Sequence, residues 1–443
     1  MTEHSGQNLR WEAQIVISMC LGYGMLMLCR TVVGVAGPAM LLDPDLALDT
    51  ATFGAILGWG TAGNLTGKLT NGVLADKLGG SKVFISSIAL AAVATFIFGT
   101  LSSNTAFFAI YFLTVFAKSA GWPSMANIIR VSFTHAKHGR VWGFIATSSR
   151  VSSVVTTLLL SSLLLVMSWR GLFFFAASIA LICVVFLPKY LKDSWKDSGD
   201  SSSPSQKTVE ALLARSKNHP LHDVSTPAAI FYFVKNSRFW LISLGVASLA
   251  VLFEFQVFIP IYLSETFDLT PAIAGMASAA FPLGCLIAVF SGGFVFDKLS
   301  RKNLIFVVGA MLIVAIFCLL GLRFLGTAEL NAQFELILTI ALIFIFGFAI
   351  SPAYYIPMSV FSIDFGGRHC GVLVGLIDAL AYLGAMTFDF VGGAVANKDG
   401  GWQDFLSILI VTCVIATVIM TLFLTVEYVR SKPSPGSPAL DSP

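Results

Sequence analysis

The sequence predicts an all-α membrane protein of about twelve transmembrane helices in two pseudo-symmetric six-helix bundles. Three observations carry that expectation: the composition, the spacing of apolar windows and a turn motif that recurs in each half. Of 443 residues, 56% are hydrophobic and 12% charged, with 38 phenylalanines. Soluble domains run near ~25% charged and ~45–50% apolar. So little charge cannot cover a water-facing surface without large apolar patches. That excludes an ordinary soluble enzyme, a disordered chain and a disulfide-framed secreted domain.

A spanning helix needs ~20 mostly apolar residues. In the first half such windows fall at 12–40, 50–75, 83–102, 105–133, 141–166 and 170–190. In the second half they fall at 237–263, 270–296, 304–324, 334–360, 367–394 and 402–428. The chain then divides into an N-terminus (1–11), a first bundle (12–190), a linker (191–236), a second bundle (237–428) and a disordered tail (429–443). The linker is polar from Asp193 to Asp223, with a short helix expected around Val209 to Arg215. The polar N-terminus has no short apolar stretch ending in a small-residue cleavage site, so no removable signal peptide is expected.

The turn after the second window reads Gly72-Val-Leu-Ala-Asp76-Lys77-Leu-Gly79-Gly-Ser-Lys82. The turn after the eighth reads Gly293-Phe-Val-Phe-Asp297-Lys298-Leu-Ser-Arg301-Lys302. Gly allows close helix approach, Asp can cap the next helix, and the bases mark a cytoplasmic loop. The basic residues orient the chain. Of 27 Lys and Arg, 20 fall in the termini, the linker and the loops on the same side, and 3 (Arg170, Arg323, Lys398) in the opposite loops. Both termini are therefore expected in the cytoplasm, with the cell or inner membrane as the site.

Two six-helix halves with paired turns of this kind resemble the major facilitator superfamily. A narrower likeness is to the organophosphate:phosphate antiporter and glucose-6-phosphate translocase family. It is carried by Gly22-Tyr-Gly-Met-Leu-Met-Leu-Cys-Arg30, Gly67-Lys68, Ala117-Lys118-Ser-Ala-Gly121-Trp122-Pro123, Arg140-Val-Trp142-Gly143 and Ser168-Trp169-Arg170. The resemblance implies substrate-anion binding at Arg30 and Lys68. It also implies a second arginine on the seventh helix, where the sequence departs: Val251-Leu252-Phe253-Glu254-Phe255-Gln256 has none, and alignment puts Leu252 at that place. Ser149 stands where the glycerol-phosphate branch has a fifth-helix histidine, with Arg150 beside it.

Ionisable residues inside apolar spans each cost ~2.5–3.5 kcal/mol at mid-helix and need a polar interior. Here they are Arg30, Lys68, Lys118 and Arg150 in the first half, and Glu254, Asp378 and Asp389 in the second. The resemblance places all seven on cavity-lining helices, and their signs are segregated by half. An anion drawn between the halves would meet Arg30, whose fork donates two parallel hydrogen bonds, and Lys68 as a point charge. Lys118 and Arg150 would raise the local potential. The competing expectation is that these cations pair across the bundle and hold one state closed. Asp378 and Asp389 are 11 residues apart, three turns of one face, and Tyr382 shares the stripe. Glu254, Asp378 and Asp389 are candidates for proton coupling, Glu254 and Asp378 foremost. Tyr23, Tyr354 and Tyr355 are further substrate contacts, while Pro123, Pro282 and Pro352 suggest bends.

No cofactor or metal is expected. His135 and His138 lack an acidic or thiol partner, and the seven cysteines form no C-x-x-C pair. There is no phosphate-cradling G-x-x-x-x-G-K-[ST] loop, which excludes an ATP-driven pump within the chain. A net charge of +3 suggests no nucleic-acid partner. The Gly-Pro pattern of drug/proton antiporters is absent from the fifth helix. The function expected is secondary transport of a small organic anion by a monomer in the bilayer. Organophosphate is the candidate from resemblance and a carboxylate or zwitterion the candidate from charge, with protons or inorganic phosphate as the coupled ion. The alternative is a transporter-like sensor that binds the anion without flux.

Overall fold

The structure, a computed structural model, describes residues 2–133, 135–191, 221, 224–295, 299–325, 331–366 and 369–430. The first half holds α1 (Thr2–Leu41), α2 (Thr50–Leu78), α3 (Gly80–Thr100), α4 (Asn104–Ser119), α5 (Gly121–Ser132), α6 (His135–Leu163) and α7 (Trp169–Tyr190). After α8 (Thr226–Lys235) come α9 (Ser237–Phe267), α10 (Pro271–Ser278), α11 (Ala280–Val295), α12 (Arg301–Leu325), α13 (Ala332–Gly366), α14 (Cys370–Ala396) and α15 (Gly401–Arg430). With α4–α5 and α10–α11 each taken as one broken span, eleven helices among the described residues are long and apolar enough to cross a membrane. The remaining span, α2, has the length at 29 residues but carries Gly, Thr and Asn where the others carry Leu and Phe. Together they make an integral, multi-pass membrane protein.

The halves repeat each other in packing. In the first, α1 packs on α6 and α7, α3 on α7 and α4, and α2 on α4. In the second, α9 packs on α14 and α15, α12 on α15 and α13, and α11 on α13. The repeat extends to single residues. A Cβ on Gly63 would strike the Phe112 carbonyl of α4, and one on Gly284 would strike the Phe344 carbonyl of α13. Gly63 and Gly284 precede Gly72 and Gly293 of the repeated turn by the same nine residues. In the first turn Gly79 adopts φ +93°, a conformation glycine takes without penalty. Ser300 replaces it in the second and accepts from the Asn303 N–H as a helix cap. Asp76 accepts a hydrogen bond from Asn127 at 3.1 Å and lies 3.9 Å from Arg130, tying α2 to α5. Asp297 and Lys298 lie outside the described residues, as do the helix expected around Val209 to Arg215 and the chain beyond Arg430.

Two broken spans interrupt the pattern. α4 ends and α5 begins around Ala120, three residues before Pro123, and α10 gives way to α11 around Ala279, three before Pro282. Proline lacks the N–H that would close the preceding turn. Pro352 produces no such break, since α13 runs on through it. Helix α8, inside the segment read as linker, was not expected. Pro227 opens it, a position where the missing N–H costs nothing; Ala229 and Phe233 are buried while Phe231 and Tyr232 are exposed.

The halves touch along α2–α14, α6–α10/α11 and α1–α9. Contact is closest at the face away from the termini. There Gly54 of α2 and Gly393 of α14 meet backbone to backbone, where neither could carry a Cβ. Hydrogen bonds reinforce the closure. The Thr50 N–H donates to Asn397 Oδ1 at 3.1 Å, the Thr50 hydroxyl to Glu265 at 3.0 Å, and Asn397 Nδ2 to Asp49 at 3.2 Å. Toward the terminal face the helices diverge. Gly72, Gly143, Gly371 and Gly375 have open space where a Cβ would stand.

Candidate functional site

Between the halves lies a cavity of about 460 Å³, within the ~300–1,000 Å³ typical of small-molecule sites. Arg30, Lys68, Lys118, Arg150, Tyr23, Tyr354, Tyr355, Glu254 and Asp378 all line it. Helix geometry accounts for their convergence. Tyr23 and Arg30 are seven residues apart on α1, two turns along one face, and Asn64 and Lys68 repeat this on α2 at one turn.

Charge across the cavity is partly matched. Lys68 Nζ donates to Asp378 Oδ2 at 3.0 Å and stands 5.8 Å from the Tyr382 ring. Arg30 faces Glu254 at 4.0 Å, too long for a hydrogen bond, and Tyr111 stands beside it. Both pairs join one half to the other. Lys118 lies at the end of α4, where the span breaks, and is 7% exposed. Arg150 stacks over the Tyr355 ring at 4.5 Å and stands 6.0 Å from the Phe253 ring. Among the described residues, neither Lys118 nor Arg150 has a carboxylate within salt-bridge distance. A buried ammonium without a counter-charge is costly.

The rest of the wall is aromatic and hydroxylated. Trp122 Nε1 donates to the Tyr23 hydroxyl at 3.0 Å, and the Trp122 and Trp142 rings lie 5.1 Å apart. Gln256 donates to Ser153 at 3.2 Å across the halves. Trp122, Trp142 and Gln256 were not singled out as contacts from the sequence. The Gly-Trp-Pro block and an amide inside an apolar span were the available signals.

One sequence expectation changes. Asp389 does not line the cavity. Its stripe on α14 does face α2, as the 11-residue spacing requires, but at its depth the helices have closed together and the carboxyl is completely buried. Arg30 and Lys68 line the cavity, and each faces an acid proposed for coupling. Leu252, the residue aligned with the family's second arginine, turns into the core of the second half, and Ala250, Phe253, Glu254, Gln256, Val257 and Pro260 are the α9 residues that face the cavity.

Comparison with known proteins agrees with this architecture. The chain is 23% identical over 435 residues to the membrane sensor protein UhpC of Escherichia coli, covering 95% of this chain and 94% of that one. It is 23% identical over 386 residues to sugar phosphate exchanger 3 of Homo sapiens, covering 80% and 76%. Its fold matches an inward-facing, unoccupied bacterial homologue of the human lysosomal transporter Spinster at TM-score 0.73 and 13% identity, covering 96% and 99%. The family model of the Major Facilitator Superfamily matches residues 19–388 and 255–443; with its repeated halves and central cavity, the chain belongs to that superfamily of transport proteins.

Proposed function

We infer that the protein is a secondary transporter that carries a small organic anion across the bilayer by exposing this cavity to each face in turn. One observation carries the reading: four basic side chains line a cavity sealed at one face, and two of them, Lys118 and Arg150, have no carboxylate within salt-bridge distance among the described residues. Against four bases stand two acids, Glu254 and Asp378. A phosphate monoester, with about −1.5 to −2 charge at neutral pH, matches that excess, and the name of sugar phosphate exchanger 3 agrees with such a cargo. The organic body would rest on Tyr23, Trp122 and Trp142.

Proton coupling follows from partner exchange. An anion that takes Arg30 or Lys68 releases Glu254 or Asp378 from its counter-charge, and the released carboxylate gains a proton. For exchange against inorganic phosphate, α9 offers no second arginine to the cavity. With the termini in the cytoplasm of a cell or inner membrane, the open face is cytoplasmic. The chain works as a monomer.

The test is a thermal-shift screen of glucose 6-phosphate, glycerol 3-phosphate, inorganic phosphate, a dicarboxylate and an amino acid, on wild type and Arg30→Ala. Phosphate esters should raise the wild-type midpoint, with the shift reduced in the variant. Hits that all survive the substitution undiminished would refute the anion site. Similarity to UhpC, named as a membrane sensor, favours a second reading in which binding occurs without flux. Uptake of labelled glucose 6-phosphate into liposomes separates the two.

A further inference from the structure

Asp389 lies 11 residues, about 16 Å, along α14 from Asp378 and outside the cavity. Its Oδ2 accepts a 2.6 Å hydrogen bond from the Thr61 hydroxyl, and its Oδ1 has no partner among the described residues. Among the described residues no basic group lies within salt-bridge distance of it. A carboxylate with one hydrogen bond inside a bilayer is expensive; a carboxylic acid fits the same place at little cost.

The surroundings connect this group to the cavity. A pocket of about 10 Å³, room for one water molecule, is walled by Arg30, Thr61, Asn64, Tyr111 and Glu254. Glu254 also lines the main cavity, and Thr61 donates to Asp389. Asn64 is 2% exposed, and its side-chain oxygen has no hydrogen-bond partner among the described residues. Acid, pocket, hydroxyl and buried acid therefore follow one another from the cavity inward. The ionisable groups facing Asp389 are Glu254 of α9 and Arg30 of α1, with Tyr111 of α4 beside Arg30. On α2 the nearest is Lys68, two turns from Thr61 and bound to Asp378. α15 meets this stretch of α14 through Phe405, against Phe388 and Gly392. α13, α8 and the segment before α8 also touch α14, α13 near its start at Gly366 and the segment at Val224.

We propose that Asp389 is a proton-binding site, loaded and unloaded from the cavity through Glu254, a water in this pocket and the Thr61 hydroxyl. Its place in the cycle rests on the proton-coupled reading above. In one transfer the Glu254 O–H bond breaks and its proton passes to the water. The water gives a proton to Thr61 Oγ1, and Thr61 gives its own to Asp389 Oδ2, where the new O–H bond forms. Glu254 is left as a carboxylate facing Arg30. Charge is conserved and no electrons move. Because Asp389 stands one turn from the Gly54–Gly393 contact, its charge bears on closure: an ionised group there favours water, and so separation of α2 from α14.

The experiment is infrared spectroscopy of the full chain in lipid through an acid-to-alkaline titration, on wild type, Asp389→Asn, Thr61→Val and Thr61→Ser. Wild type should show a protonated-carboxyl band that Asp389→Asn lacks. After a pH jump that band should respond about tenfold or more slowly in Thr61→Val, with Thr61→Ser restoring the wild-type rate. Superimposable wild-type and Asp389→Asn spectra would overturn the site, and an unchanged rate in Thr61→Val would overturn the route. Glucose 6-phosphate uptake under an imposed pH gradient separates this inference from the reading beneath it. A wild-type response that Asp389→Asn retains removes the site from the cycle alone. Uptake indifferent to the gradient, with the band still titrating, removes proton coupling itself.

Discussion

Lys68 on α2 and Asp378 on α14 meet at 3.0 Å across the two halves, one turn above Gly72 and Gly375, where the same helices have parted. The pair thus lies beside the point where the α2–α14 seam opens. An anion bound at Lys68 would compete with Asp378, so the bridge would bear on both affinity and closure. Replacing Asp378 with Asn removes the competitor and should tighten glucose 6-phosphate binding by about tenfold, or ~1.4 kcal/mol. Lys68→Ala should weaken it. Isothermal calorimetry on the purified variants measures both directions.

Arg150 should matter through its aromatic support as well as its charge. Stacked on Tyr355 at 4.5 Å, it is held by a cation–π contact worth about 0.5–2 kcal/mol. Tyr355→Leu should loosen the guanidinium and weaken anion binding by several-fold, and Arg150→Ala by more. Arg150→Lys should not restore affinity fully, since an ammonium lacks the planar fork. The same titration ranks the three.

The far-face contact makes a steric prediction. Gly393→Leu cannot be seated against Gly54 without moving backbone, so the variant should favour a far-open state. Thr50, 5% exposed in the closed form, reports on it. A Thr50→Cys reporter should react with a membrane-impermeant maleimide faster by tenfold or more in the Gly393→Leu background.

Asp49 ties pH to the start of α2. Its carboxylate caps the helix by accepting from the Thr52 N–H, and it is held below the ordinary carboxylate range chiefly by the Thr52 side chain, with smaller contributions from that N–H and from Asn397. A lowered value in the folded state means stability present above the unfolded value and lost as pH falls through the folded one. Asp49→Ala should therefore cost about 1 kcal/mol near neutrality and nothing in strong acid. Thermal unfolding across pH gives the comparison.

The sequence revealed the fold because bilayer thickness and charge exclusion leave few alternatives to apolar helices with basic turns on one side. It also marked Arg30, Lys68, Lys118, Arg150, Glu254 and Asp378 as cavity residues, since a charge inside an apolar helix has nowhere else to go. Which cation faces which acid was not legible. Periodicity fixes the face a residue occupies on its own helix, but not how far two helices have rocked together. Asp389 illustrates this: its stripe was correct, and its burial depended on where α2 and α14 close. The pocket beside Thr61 was invisible for the same reason, and α8 escaped notice because ten residues are too few for a periodic signal.

The polar character of α2 has a consequence for how the protein is made. This helix buries Asn64, Asn71 and Thr61 against α4 and α14, so a nascent chain that has released only the first hairpin offers lipid a segment with little reason to stay. Its main partner, α14, leaves the ribosome some three hundred residues later. Biogenesis then depends on α4 sheltering α2 in the interval, and substitutions at Gly63, where those two backbones meet, should depress yield at synthesis before they disturb any step of turnover.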